Sequence, residues 1–203
     1  MPSGRLWRTT SSICPVTSGT RSLCSEWDVH DVLAHLVSSA KDTPLRFLAR
    51  FAAAGFDFDR FTARGVAAER AADPAETLAE FRAVQSRTSS PPAPKDTRLV
   101  EAFVHGEDIR RPLAITREHP RTHVTRAIAF QARTSVAMGG GEARAAGVSL
   151  TATDTDCTLG TGPAVEGPAI SLLLAVSGRE VALDDLSGPG VRVIADRIRS
   201  DAT

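Results

Sequence analysis

The sequence predicts an α+β protein in which a helical part precedes a smaller part that mixes strands and helices. Two observations lead to this prediction. Apolar residues recur at helical spacing through most of residues 23–112. Farther on, residues 148–153 alternate between apolar and polar side chains, as a half-buried strand does. We therefore expect an irregular segment over residues 1–22, a helical bundle over residues 23–112 and an α+β domain over residues 113–200.

The first helix is predicted after an irregular segment that is rich in Ser, Thr, Gly and Pro. Ser25 is placed to cap this helix, with Asp28 three residues later. Pro44 ends or kinks the helix. Its packing face consists of apolar residues at helical spacing, namely Val29, Val32, Leu33, Leu36 and Val37.

Three further helices in this part are predicted from caps and from glycine or proline breaks. A loop rich in Ser and Pro, residues 86–94, precedes the last of them. The three helices cover residues 45–54, residues 73–85 and the segment from Asp96, as the cap, to Arg111.

The remainder of the chain mixes strand and helix signals. Three consecutive glycines, Gly139, Gly140 and Gly141, are predicted to form a hinge. In chain order we expect a helix from Pro120 to about Met138, the hinge, a strand over 148–153, a turn over 160–162, a helix over 169–176, a short strand over 180–183 and a helix over 190–198.

Composition excludes several classes of protein. A chain of 203 residues is long enough for one large domain or two small ones. Its 24 basic and 24 acidic residues cancel, so no net field attracts nucleic acid. The longest aliphatic run, residues 170–176, is far shorter than the roughly 20 residues that span a bilayer. We expect neither nucleic acid nor a membrane as partner, and the sequence leaves the oligomeric state open.

Cysteine usage indicates a reducing compartment. The three cysteines, Cys14, Cys24 and Cys157, are odd in number and widely spaced, which does not suit a disulfide scaffold. The first 20 residues contain no continuous apolar stretch of the kind found in secretory signals. The sequence therefore predicts a cytoplasmic protein.

Glu101 and His105 are the candidate metal ligands with the clearest spacing. Four residues apart on a helix, they lie on one face and could hold one ion, with a third ligand from another helix. His35, on the best-defined helix, is the natural third ligand. Two imidazoles and one carboxylate leave coordination positions open, which is typical of a catalytic site. A helical wheel places all three residues away from the apolar stripes, so a solvent-exposed Glu–His pair stays open as the alternative.

The other histidines are interpreted as surface residues. His119 and His123 have the same spacing, but Pro120 suits the first helical position and leaves His119 outside that helix. We therefore expect both rings in a polar surface turn. His30, between Val29 and Asp31, is expected to be an exposed helix residue.

Several motifs resemble one protein family. Residues 27–36, WDVHDVLAHL, and residues 101–113, EAFVHGEDIRRPL, are similar to segments of the mycothiol-dependent maleylpyruvate isomerase family, a branch of the DinB-like metal-binding four-helix bundles. Farther on, residues 146–154, 160–168, 172–179 and 186–188 resemble the C-terminal domain of that family. The resemblance extends over about residues 22–198.

The resemblance implies a fold, a site and a chemistry. It implies a DinB-like bundle followed by a sterol-carrier-like α+β domain, with a divalent metal, zinc by expectation, on His35, Glu101 and His105. It also implies mycothiol, the thiol of actinobacteria, as cosubstrate in a cis–trans isomerisation of a small anionic unsaturated substrate such as maleylpyruvate. We expect Arg179 to clamp that anion, since a guanidinium pairs bidentately with a carboxylate. A non-catalytic member that binds a metal or a small ligand is the alternative.

Two features depart from the family pattern. Residues 1–22 show neither the apolar period nor the caps of a complete helix, so we expect the first bundle helix to be missing or replaced. Cys157 stands where a large aromatic residue is expected, which predicts looser packing there.

Overall fold

A computed structural model describes residues 19–89 and 91–201 of the chain. It divides into two compact units, the first comprising residues up to Ala93 with Asp108–Ile115, and the second comprising Pro94–Glu107 with residues from Thr116 onward. Helices dominate the first unit and a small sheet with helices lies in the second, so the predicted α+β class is confirmed. The expectations for residues 1–18, including a missing first helix, lie outside the described residues.

The first unit is built around α1, Val29–Lys41. Its cap is Asp28 and not Ser25 as predicted, because Asp28 directly precedes the apolar stripe. The Asp28 carboxylate accepts from the Asp31 backbone N–H at 2.7 Å, and the Asp31 carboxylate accepts from the Asp28 N–H at 3.1 Å. Arg70 donates to both carboxylates at 2.8 and 2.6 Å. This reciprocal capping box satisfies two backbone donors that the helix itself cannot pair.

Three helices complete the described part of this unit, and α1 packs against the second and third of them. The one that was not predicted begins after Asp57, whose carboxylate accepts from the Arg60 N–H at 2.9 Å. It begins with Phe58 and so lacks the Pro at the first helical position that indicates the start of the third helix. The three helices are α2 (Pro44–Ala53), α3 (Phe58–Glu69) and α4 (Pro74–Val84).

His30 is buried, so the prediction of an exposed residue is wrong. Its side chain is 1% exposed, and its Nε2 lies 2.8 Å from Oγ1 of Thr77 on α4. Burial and the nearby Arg70 guanidinium lower the pKa of His30 below its ordinary value. The error has a simple cause, since α4 covers a second face of α1 that the apolar stripe does not reveal.

One helix of the second unit is shorter than the sequence predicts. The helix expected to reach Met138 ends at Gln131, because the chain turns back there. The Gly141 N–H donates to the carbonyl of Gln131, and the Gln131 side chain donates to the carbonyl of Gly139. From Thr97 onward the helical segments are α5 (Thr97–Val100), a π-helical turn (Glu101–His105), α6 (Gly106–Arg110), which continues from it and ends in the first unit, α7 (Arg121–Gln131), a 3₁₀ turn (Val136–Met138), α8 (Glu142–Ala145), α9 (Ala169–Val176), a second 3₁₀ turn (Glu180–Asp185) and α10 (Val191–Asp201).

The three glycines form a packed turn and not the predicted hinge. A Cβ on Gly140 would overlap the carbonyl of Thr134, and one on Gly141 would overlap the carbonyl of Val176. Gly140 and Gly141 are buried. Close approach of backbone to backbone, and not flexibility, therefore explains glycine at these two positions.

A three-stranded sheet supports the second unit in the order β2-β1-β3. The predicted strand is present as β1, Ser149–Ala152, which pairs antiparallel with β2, Thr158–Gly160, and parallel with β3, Ala164–Gly167. The helix predicted over 169–176 is confirmed as α9, which packs against β1 and β3. β2 and β3 were not predicted, because Gly160, Gly162, Pro163 and Gly167 in and between them indicate turns.

The strand predicted over residues 180–183 is wrong. These residues belong to the 3₁₀ turn Glu180–Asp185, in which only Ala182 is buried. A half-buried strand would bury alternate residues against the core, whereas this segment buries only one residue. The final helix is confirmed as α10.

None of the helices in the described part of the chain has the length and apolar character of a transmembrane segment. Cys24 and Cys157 are thiols and form no disulfide, whereas Cys14 lies outside the described range. Cys157 is half-buried, and burial together with the Asp156 carboxylate raises the pKa of its thiol.

Candidate metal centre

The two central ligand candidates occupy the ends of the π-helical turn. Glu101 is its first residue and His105 its last, and both are half-buried. The ligand atoms of the two side chains lie within 4.8 Å of each other. The predicted shared face of this pair is therefore present, although on a wider turn than the α-helix that the spacing suggested.

The π-helical turn itself was not predicted. A π turn closes its hydrogen bonds over five residues and carries one residue more than an α turn, which shifts the face presented by the residues that follow. Phe103 and Val104, between the two candidates, are 1% and 3% exposed. The turn thus directs two apolar side chains into the core of the second unit while its first and last residues keep their polar atoms near each other.

His35 lies in the first unit, on α1, and is 8% exposed. The Trp27 ring lies against it, with the ring centroids 4.9 Å apart and the planes inclined by 38°. Trp27 directly precedes the Asp28 cap, so the same local structure that begins α1 also positions this ring. The helical wheel placed His35 outside the core, whereas the structure buries it.

The donor set fits a divalent transition metal. Two imidazoles and one carboxylate are ligands that zinc accepts, and three protein ligands leave a coordination position for water or substrate. The proximity of the Glu101 and His105 ligand atoms satisfies the first requirement of such a site. His35, in the other unit, is the remaining member of the predicted set.

Sequence reasoning missed a thiol and a carboxylate in the first unit. The Cys24 thiol donates to Oδ2 of Asp108 at 3.5 Å, and the Asp108 side chain is fully buried. The backbone N–H of Leu23 donates to the Asp108 carbonyl at 3.4 Å. The available signal was the position of Asp108, three residues after His105 on a continuing helix.

Arg179, the predicted anion clamp, lies just before the 3₁₀ turn Glu180–Asp185 and is half-buried. Its Nη1 donates to the Ser177 carbonyl at 2.6 Å. Its role toward a substrate stays a prediction.

The turn around His119 lies at the surface as predicted, with Glu118, Arg121 and Thr122 exposed, but the expectation that the His119 ring is exposed is wrong. The His119 side chain is 7% exposed, its Nε2 lies 3.0 Å from Oε1 of Glu107, and Glu107 is also buried. Nδ1 of His123 is buried too. His119 lies outside α7, as predicted, although Pro120 is the residue before the helix and not its first residue, and the His119 side chain turns inward against the helix that carries Glu107.

The fold and its donor residues define a class of protein, an α+β protein with a helical N-terminal unit and imidazole and carboxylate side chains suited to a metal. More narrowly, residues 3–97 match the family model described as the mycothiol maleylpyruvate isomerase N-terminal domain. The matched family is the one that the sequence resemblance indicates. No curated protein and no solved structure matches the chain.

The limits of the match bear on the site. It begins at residue 3 and so includes the segment that was predicted to be irregular. It ends at residue 97, where α5 begins, so His35 falls inside it and Glu101, His105 and Arg179 fall beyond it. The sterol-carrier-like description of the C-terminal part stays a prediction.

Proposed function

We propose that this protein is a divalent-metal-dependent, mycothiol-dependent isomerase or thiol transferase that acts on a small anionic unsaturated substrate, in the manner of maleylpyruvate isomerase. The observation that carries the proposal is the Glu101–His105 pair, whose ligand atoms lie within 4.8 Å of each other. Its support is the family match of residues 3–97. We place the reaction in the cytoplasm, as the cysteine pattern predicts.

In this proposal His35, Glu101 and His105 hold the metal, for which zinc is the expected ion. When bound, a divalent cation supplies positive charge that keeps a thiol deprotonated at neutral pH. Trp27 restricts the His35 ring by packing against it, and the π-helical turn sets the separation of Glu101 and His105. The protein would thus supply three metal ligands and leave one coordination position of the metal open.

The proposed reaction consumes no thiol. The mycothiol thiolate adds to a carbon of the conjugated double bond, a C–S bond forms, and the π electron pair moves onto the conjugated carbonyl oxygen. Rotation about the resulting single bond and expulsion of the thiolate restore the double bond in the trans form. Arg179 is proposed to hold the substrate carboxylate through paired hydrogen bonds. To do so, its guanidinium would release the hydrogen bond that it donates to the Ser177 carbonyl.

Metal analysis of the purified full-length chain tests the site. We expect about one divalent ion per chain, lost in His105→Ala and in Glu101→Gln because each removes one of three protein ligands. His123→Gln is the matched control, since it replaces a histidine of the same chain that is not in the proposed set. Wild-type protein that neither contains nor takes up a divalent metal would overturn the proposal.

Cobalt substitution tests the thiol. Mycothiol is expected to change the visible absorption of the cobalt protein and to be required for cis–trans isomerisation of maleylpyruvate. Arg179→Lys should raise the KM for the anionic substrate, since an ammonium cannot replace a bidentate guanidinium. If mycothiol changes neither the spectrum nor the turnover of the cobalt protein, the result would instead favour the non-catalytic alternative.

One observation favours that alternative, a small-ligand-binding member of the family. The second unit contains a half-open pocket of about 280 Å³, which is mainly apolar and also includes Arg133 and Glu142 in its lining. Its apolar lining consists of Ala129, Ala132, Ala145, Ala146, Leu150 and Leu159. Such a cavity suits a small apolar ligand. Leu159→Trp would fill it, and a change in isomerase activity without a change in metal content would connect the cavity to the reaction.

A further inference from the structure

His119 connects two points of the helix on which Glu101 and His105 lie. Its ring meets Phe103 edge-on, with centroids 5.4 Å apart and planes at 86°. Its Nε2 lies 3.0 Å from Oε1 of Glu107. Phe103 and Glu107 are four residues apart and therefore neighbours along one helix face, one before and one after His105. All of these residues belong to the second unit.

The direction of the hydrogen bond follows from the chemistry of the partners. With Glu107 ionised, its carboxylate only accepts, and the proton of the bond is then on Nε2 of His119. The side chains of His119 and Glu107 are 7% and 9% exposed, so little water competes for this bond. Nδ1 of His119 is buried and has no hydrogen-bond partner within the described residues. One nitrogen of the imidazole is thus paired with Glu107, and the ring makes a T-shaped contact with Phe103.

The backbone around His119 is restricted as well. The residue before a proline is confined to extended conformations, and Pro120 itself has φ −63°. His119 therefore presents its ring from a segment with few alternative conformations, directly before the first residue of α7, Arg121. Because its backbone is restricted and its ring contacts two residues on one helix face, His119 can stabilise the local conformation of that helix.

We propose that His119 is a positioning residue that, through Phe103 and Glu107, holds the π-helical turn in the form that keeps the Glu101 and His105 ligand atoms together. This inference rests on the metal site proposed above. In this role His119 would contact neither the metal nor the substrate. It acts on the two ligands through their own helix, as residues behind metal ligands commonly do.

Two substitutions separate the contacts of His119. His119→Phe keeps an aromatic ring beside Phe103 but removes the N–H donor to Glu107. His119→Gln keeps an amide N–H donor at about the place of Nε2. We expect zinc affinity of the full-length chain, measured by competition with a chromophoric chelator, to fall about 10- to 100-fold in the Phe variant. The Gln variant should recover most of that loss, and the cobalt spectrum of the Phe variant should differ from wild type.

A matched control lies on the same helical segment. Asp96 pairs with Arg126 one turn before Glu101, and Asp96→Asn removes that charge without touching His119. Its zinc affinity should stay within about twofold of wild type, because the pair is partly exposed. Equal losses in Asp96→Asn and His119→Phe would overturn the inference, since any weakening of the helix would then suffice.

Hydrogen exchange of the metal-free protein separates this inference from the metal proposal. Amides of residues 101–107 should exchange faster in His119→Phe than in wild type, and unchanged exchange would overturn the inference whatever the metal result. A wild-type chain that binds no zinc would overturn the proposed function, and with it the ligand-positioning role. Wild-type zinc binding with unchanged affinity in a folded Phe variant would overturn only the role of His119. If the Phe variant does not fold, Glu107→Leu, which also removes the hydrogen bond, gives the same readouts.

Discussion

The proposed ligands lie on two helical regions whose regularity differs. α1, which carries His35, is an unbroken helix of 13 residues, whereas the region from Thr97 to Arg110 passes from an α turn through a π turn and back. Both contain buried apolar residues at helical spacing. Only the first is also bracketed by local signals, with a capping box at one end and Pro44 beyond the other. The helix with sequence signals at both ends is a regular α-helix. In the region without them, packing determines whether a turn is α or π.

The two aspartates before these helices show the difference most directly. Asp28 caps α1, and its carboxylate accepts hydrogen bonds from the helix N-terminus and from Arg70. Asp96 stands in the equivalent place before α5 and makes no side-chain cap; it pairs with Arg126 of α7. The same residue type therefore begins one helix by a local bond and joins another to a neighbour.

The largest effect is expected from the π-helical turn. Phe103→Ala should lower the free energy of unfolding by about 3–5 kcal/mol, because it empties a site that is 1% exposed and removes the contact with His119. Denaturant unfolding followed by circular dichroism measures the change. Leu45→Ala on α2, where the side chain is 81% exposed, is the control and should change stability by less than about 0.5 kcal/mol. A loss below about 1 kcal/mol for Phe103→Ala would show that packing does not hold this turn.

An intermediate effect is expected at the cap of α1. Asp28→Ala should cost about 0.5–2 kcal/mol, the usual range for losing an N-cap. Burial raises the pKa of the Asp28 carboxyl, but hydrogen bonds from Arg70 and from the backbone N–H groups of Asp31 and Gly19 outweigh it and hold the pKa well below the ordinary range.

The sign of the pH dependence follows from that lowered pKa. The stabilisation is fully present above the unfolded-state pKa of about 3.9 and is lost as the pH falls toward the lower pKa of the folded state. Asp28→Asn keeps a capping oxygen but does not titrate, so its stability should fall less steeply than that of wild type below about pH 4. Parallel pH profiles for the two proteins would contradict the role of the charged cap.

The smallest effect is expected at Asp96. Asp96→Ala removes a partly exposed ion pair and no cap, so unfolding should become easier by less than about 0.5 kcal/mol. The same denaturant titration, with Asp28→Ala as its reference, measures the difference. Equal losses at the two aspartates would mean that Asp96 caps its helix in solution and that the contrast between the two regions is wrong.

Local signals account for much of what could be predicted. α2 and α4 begin with Pro at the first helical position after a Thr or Asp cap, and α9 follows Pro168 and stops before Gly178. These rules act within one turn of the chain and need no knowledge of neighbours. α3, which packs against α1, has no Pro at its first helical position, and the Asp57 cap alone did not indicate its start.

The errors concern residues whose surroundings come from distant parts of the chain. His30 is buried because α4, more than 40 residues later, places Thr77 beside it. The His119 side chain is buried because it is hydrogen-bonded to Glu107 and packs against Phe103. The glycine turn is rigid because Val176 and Thr134 carbonyls pack against it. No periodicity reports such contacts, since each depends on where another element lies.

The sequence by itself determined the α+β class, the family that residues 3–97 match, and the spacing of Glu101 and His105. Each follows from residues that are close along the chain or from a motif read in order. Only the tertiary structure decided that these two ligands lie on a π turn, that Trp27 packs on His35, and that His119 faces inward. The physical reason is that helix winding and side-chain burial depend on the free energy of packing against distant elements, which local propensity does not contain.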